Sequence, residues 1–180
     1  MDDHEVFGAI PWEAVAHHEA AHAVLLTLFD LPPSSVSVEL DEHDHSAGRV
    51  TQPPTHTDPT HFSDQGLDAL RTWVDSQIVA SFAGPLATAR LGGLTDEQQH
   101  SSAIADEDDA LRYAQQLFPA DDTDAHAYVE ALRGPAARAF DPPAAWPAIQ
   151  AVAAALLERH TLTGDDVVDL INGVPGGGAS

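Results

Sequence analysis

Between Ala16 and Leu26 the chain reads AHHEAAHAVLL, a run of Ala, Val and Leu into which histidines and one carboxylate are set. On an α-helix, residues four apart lie one above the other, so His18 and His22 share a face and two imidazoles can grip a single ion. Glu19 lies about 100° further round. From there its carboxylate can reach a metal-bound water without occupying a coordination position, the placement a general base requires. The spacing H-E-x-x-H arises by chance on the order of 0.03 times in a chain of this size and composition. Its position inside an apolar helix lowers that further, because unpartnered polar groups there cost about 1 to 3 kcal/mol each. A pair of satisfied core histidines is the plainer alternative.

The sequence contains no Cys, so any metal must be held by His, Asp or Glu, and a reducing cytosol is the expected compartment. Zinc suits two imidazoles, and a catalytic zinc site takes three protein ligands and keeps one position for water. The acidic run ADEDDALRYAQQLF supplies candidates for the third. On a helix, Asp106 projects with Ala110, Tyr113 and Leu117, and Glu107 with Leu111, Ala114 and Phe118. Asp108 and Asp109 project with Arg112, Gln115 and Gln116 and read as solvated charges at a helix start, favoured by the dipole. Asp106 and Glu107 remain as candidates.

The elements that must position these residues are mostly helical. Pro11 opens a helical pattern that runs to about Phe29, apolar almost all round and therefore central. The stretches SVSVEL and AGRVTQ read as a β-hairpin around the polar loop DEHDHS. A long helix is expected from about Asp64 to Leu91, interrupted near Gly84 and Pro85 and ended by Gly92 and Gly93. Further helices are expected from near Asp106 to Phe118, from Asp121 to Leu132, over AIQAVAAALLERH and over TLTGDDVVDLI, with the Pro-rich patch from Gly134 to Pro147 breaking the pattern. The fold class is mainly α with a small β-hairpin or sheet. Residues 1–172 are expected to form a single domain and 173–180 a disordered tail.

A formal net charge of −22, with no Lys, repels phosphate backbones and anionic lipid headgroups. No apolar run approaches the roughly 20 residues of a membrane span, and the acidic start lacks the features of a signal peptide. The partner expected is a protein or peptide substrate, with neither nucleic acid nor membrane; self-association into a homo-oligomer and cooperation with a separate ATPase are left open. His43, His45, His56, His61 and His100 read as exposed. His17 reads as a hydrogen-bonded core residue behind the motif, and Trp12, Trp73 and Trp146 as packing residues.

In these segments the chain resembles the peptidase domain of the FtsH-type zinc metalloproteases. The resemblance is collinear: HEAAHAV for the zinc helix, SVSVEL and SAGRVTQPP for the hairpin, SFAGPLATARLGG for the second long helix, and SSAIADEDDALRYAQQL for the helix bearing the third ligand. It implies an FtsH peptidase-like fold, Zn2+ held by His18, His22 and Asp106, and Glu19 as the catalytic residue of an endopeptidase acting on unfolded segments or a dedicated protein partner. The family's usual Gly inside the motif is Ala21 here, and a usual acidic residue falls at Thr88. No G-x-x-x-x-G-K-[ST] phosphate loop is present, so ATP-independent action is expected. The alternative is a catalytically silent interaction or regulatory module on the same fold.

Overall fold

The computed structural model describes residues 10–39, 48–53 and 64–176. It is mainly helical, with a small antiparallel sheet. The first helix, α1 (Trp12–Leu28), buries residues on every side, from Ala14 and Val15 through His17 to Leu25 and Leu26, as its apolar sequence requires. It packs chiefly against α3 (Ala83–Leu91) and α6 (Ala145–Arg159), with α2 (Asp64–Ser81) completing its surroundings.

Strands β1 (Ser35–Ser37) and β2 (Arg49–Thr51) form the expected antiparallel hairpin, with Val36 opposite Val50. A third strand, β3 (Thr161–Thr163), lies on the other side of β1 in the order β2-β1-β3, placing Leu162 opposite Val36. Its residues were expected to open the last helix. They form a strand because His160 takes a left-handed φ of 63° that ends α6 and turns the chain back along β1, where Val38 donates its N–H to the His160 carbonyl. The last helix, α7 (Gly164–Asn172), then starts on a Thr163–Asp166 capping box. Gly173 to Gly176 continue from it as a turn, while the rest of the expected tail lies outside the described residues.

The long second helix is broken at Phe82. Pro85 has no N–H for the Ser81 carbonyl, and its ring crowds a carbonyl four residues back, which favours a break in the turn before it. Gly92 ends α3 with a left-handed φ of 77°, as expected.

The helix bearing Asp106 begins ten residues earlier than the apolar pattern indicated. It is α4 (Asp96–Ala114), opened by a capping box in which Thr95 Oγ1 accepts from the Gln98 N–H and Gln98 Oε1 accepts from the Thr95 N–H. Asp108 and Asp109 are therefore mid-helix residues and gain nothing from the N-terminal dipole; Asp109 is paired with Arg112 instead. The next helix, α5 (Asp122–Arg138), continues through Gly134 and Pro135, where a stop was expected. Pro135 lies in the last turn of the helix, and Ala136 beside it is fully buried.

Among the tryptophans, Trp146 stacks on His17 at 5.7 Å and carries Arg90 over its ring, and Trp73 meets Tyr113 edge-on at 5.5 Å. Trp12 is 53% exposed and does not fill the packing role expected of it. Replacement of Thr95 by Ala removes one half of the capping box of α4. It should lower the unfolding free energy by about 1 kcal/mol, read as a lower urea midpoint at unchanged slope.

Candidate metal centre

His18 and His22 stand on α1 as helical spacing requires, their rings 4.7 Å apart and inclined at 71°. Asp106, from the middle of α4, reaches across to both. Its Oδ2 lies 3.0 Å from His18 Nε2 and its Oδ1 lies 3.2 Å from His22 Nε2. One ligand atom from each of the three residues lies within 4.8 Å of the others. Bonds of about 2.0 Å to a tetrahedral zinc ion separate neighbouring ligand atoms by roughly 3.3 Å, and each imidazole approaches one oxygen of Asp106 at a distance near this.

The hydrogen bonds show why this cluster calls for a cation. His22 Nδ1 donates to the Ala80 carbonyl at 2.7 Å. A neutral His22 in that tautomer presents a bare lone pair at Nε2, and that lone pair faces a carboxylate. Two acceptors 3.2 Å apart repel each other unless a proton or a metal lies between them. Asp106 Oδ2 is itself buried and accepts no hydrogen bond of good geometry. The donor set, two imidazole nitrogens and a carboxylate, is one that zinc takes.

The orienting carbonyl comes from the break in the second helix. Ala80 sits in the last turn of α2, where backbone carbonyls lose their partners four residues on. The interruption at Phe82 thus leaves an acceptor beside the ligand, and the ligand's outer nitrogen takes it. Such partners fix the tautomer and ring orientation of metal-binding histidines.

Glu19 is half-buried beside these groups, and its side chain lies against the backbone at Gly48, just before β2. A cleft of about 560 Å³ contains all four residues and is walled by α1, β2, the end of α2 and α4. Its volume is that of a small-ligand or peptide-side-chain site. Burial pushes the Glu19 carboxyl up, and Asp106 adds to this, against the pull of His18 and His22. Burial disfavours a charged His22, yet the Asp106 carboxylate, Glu19 and the Ala80 carbonyl outweigh it and push the imidazole up to about 9. Burial likewise works to raise Asp106, and the two imidazoles override it, holding the carboxyl well below the usual carboxylate range.

The structure brings together every residue expected at the centre: His18, His22, Asp106 and Glu19. It separates the other candidates. Glu107 turns away to Arg133 of α5, 3.0 Å distant, and His100 is exposed. His17 is buried with Nδ1 on the Glu13 carbonyl. His43, His45, His56 and His61 lie outside the described residues. Thr88 is fully buried in the cleft wall, its hydroxyl donating back to the Pro85 carbonyl at 3.0 Å. Sequence reasoning missed Ala80 and Gly48, which act through the main chain and carry no chemical signature in their side chains.

With this geometry in view, the chain was compared with known proteins. No protein-family model matches it, and neither does any curated protein. The chemistry of the site rests on its own residues.

The titration of the metal-free cluster gives a signed expectation. His22 holds its proton more tightly folded than unfolded, so its contribution to stability is complete below pH 6.5 and is lost as pH rises through about 9. Asp106 acts in the opposite sense, its contribution fading as pH falls below its ordinary 3.8. After chelator treatment, urea unfolding should show a loss on the order of 3 kcal/mol between pH 6.5 and pH 9.5 that Asp106→Asn largely abolishes. An identical pH slope in wild type and variant would show that the pair does not share a proton.

Proposed function

We propose that the protein is a zinc-dependent endopeptidase similar to the FtsH-type peptidase domains, acting on unfolded segments or a dedicated protein partner. The observation that carries this is the meeting of His22 Nε2, His18 Nε2 and the Asp106 carboxylate at one point, with the Glu19 carboxylate in the same cleft. Two imidazoles and one carboxylate are a ligand set that leaves room for a reacting group.

His18 and His22 would hold the ion from α1 and Asp106 from α4, while Ala80 keeps the His22 lone pair aimed. When bound, zinc supplies a positive charge that polarises a carbonyl and makes water easier to deprotonate. Glu19 accepts the proton of the attacking water and returns it to the leaving amine nitrogen. Its place in the same cleft as the three ligand candidates suits it to this, because a general base must lie within reach of the proton it takes. The cleft keeps bulk water from the reacting carbonyl, and its partly apolar lining, with Ile10, Val15 and Val50, offers contact to substrate side chains.

Thr88 favours a second reading. Its hydroxyl is turned onto its own helix and gives the site no further carboxylate, as a catalytically silent module on the same fold would permit. Purified protein should contain zinc at a one-to-one ratio, and it should cleave an unfolded substrate such as casein. Glu19→Gln should keep the metal and lose activity by about 10²- to 10⁴-fold. Zinc-loaded wild type as inert as the variant would decide for the silent module.

A further inference from the structure

Two glycines stand against the site, one beside the histidines and one beside the glutamate. A Cβ built at Gly84, the second residue of α3, would overlap Nε2 of both His18 and His22. A Cβ at Gly48, on the approach to β2, would come within 2.5 Å of Glu19 Oε1 and 2.6 Å of its Cγ. Real Cβ atoms do not approach heavy atoms so closely. Neither glycine has a positive φ, so alanine suits the backbone at both positions and only space is at issue.

In both cases the atoms struck belong to side chains, and the cleft beside them gives those side chains somewhere to go. Gly164 presents the opposite case. A Cβ there would strike the Pro33 carbonyl, which is main chain and cannot step aside. Crowding at Gly164 falls on the fold, whereas crowding at Gly48 or Gly84 falls on the site.

From this we infer that Gly84 and Gly48 are positioning residues with separate tasks, Gly84 seating the two histidine ligands and Gly48 seating the general base. The assignment rests on the peptidase reading for its kinetic consequences and on geometry alone for its structural ones. Gly84 lets α3 close beneath the rings, so that His22 keeps its bond to Ala80 while both Nε2 atoms face Asp106. Gly48 lets the strand backbone lie on the Glu19 carboxyl. Gln52 and Gln77 exchange two amide hydrogen bonds of 2.8 and 2.9 Å, which tie the far end of β2 to α2 and keep Gly48 in place. Alanine at 84 should therefore disturb metal binding and alanine at 48 turnover.

The experiment compares wild type, Gly84→Ala, Gly48→Ala and Gly164→Ala. Zinc affinity is measured against a chromophoric chelator, casein cleavage gives kcat and KM, and thermal melting is followed on metal-free protein. Gly84→Ala should bind zinc about 100-fold more weakly and melt like wild type or higher, since Ala favours a helix over Gly. Gly48→Ala should bind zinc like wild type and lose about 100-fold in kcat with KM little changed. Gly164→Ala should melt lower than both. Zinc affinity unchanged in Gly84→Ala, or kcat unchanged in Gly48→Ala, would overturn the assignment.

Should Gly84→Ala melt low, His18→Ala and His22→Ala are added to it. Recovery of the melting temperature supports ring crowding as the cause, and no recovery overturns it. If wild type neither binds zinc nor cleaves casein, the peptidase reading fails. Crystal structures of the metal-free variants then decide the inference: rings and carboxyl displaced support it, and both in their original places overturn it.

Discussion

A lone pair held in place organises this molecule. The Ala80 carbonyl takes the Nδ1 proton of His22, which leaves Nε2 bare and aimed at a carboxylate that it would otherwise repel. Only a positive charge between them makes the arrangement favourable, and the neighbouring His18 and Asp106 Oδ2 supply further electron pairs to the same point. The same demand explains the direction of the proton affinities. Without a metal, the cluster draws a proton onto His22 and keeps it off Asp106. A proton and a metal ion would compete for one place, so any metal affinity would rise with pH until His22 is free of its proton.

Each element around the centre is built for this placement. Helix α1 is buried along most of its length, and the surrounding helices fix its rotation and with it the direction in which its two histidines face the cleft. The break at Phe82 serves two purposes, ending one helix so that a carbonyl is released to His22 and starting another whose first turn carries Gly84. Helix α4 brings its carboxylate from its middle, where the backbone is most rigid and fraying is least. Its capping box lies more than two turns away and secures the helix without touching the site.

What could be read in the sequence follows physical lines. His18, Glu19 and His22 were legible because helical geometry converts spacing directly into shared direction. Asp106 was legible only as one of two, since Glu107 shares a face with apolar residues as well, and the resemblance to the FtsH-type peptidases chose between them. The start of α4 was missed because the residues from Asp96 to Ser102 are polar on every side and show no apolar period. The signal there was Thr95 with Gln98, a capping box that periodicity cannot register. Pro135 reads as a stop, yet α5 carries it within its last turn. Strand β3 is three residues long and owes its state to pairing with a strand more than 120 residues earlier, a contact that no local pattern records. Gly48, Gly84 and Ala80 contribute backbone or empty space, and none of the three has a side-chain signature.

The Ala80 carbonyl has a consequence for how such a chain can drift. A ligand aimed by a carboxylate or amide side chain is lost with one codon change at that supporting position. Here the aiming group belongs to the peptide unit, common to all twenty residue types, so mutation at position 80 can alter packing but cannot delete the acceptor. The vulnerable information is displaced onto the bend that exposes it, and random mutagenesis should find its loss-of-function alleles around residues 82 to 85 rather than at the hydrogen-bonding residue itself.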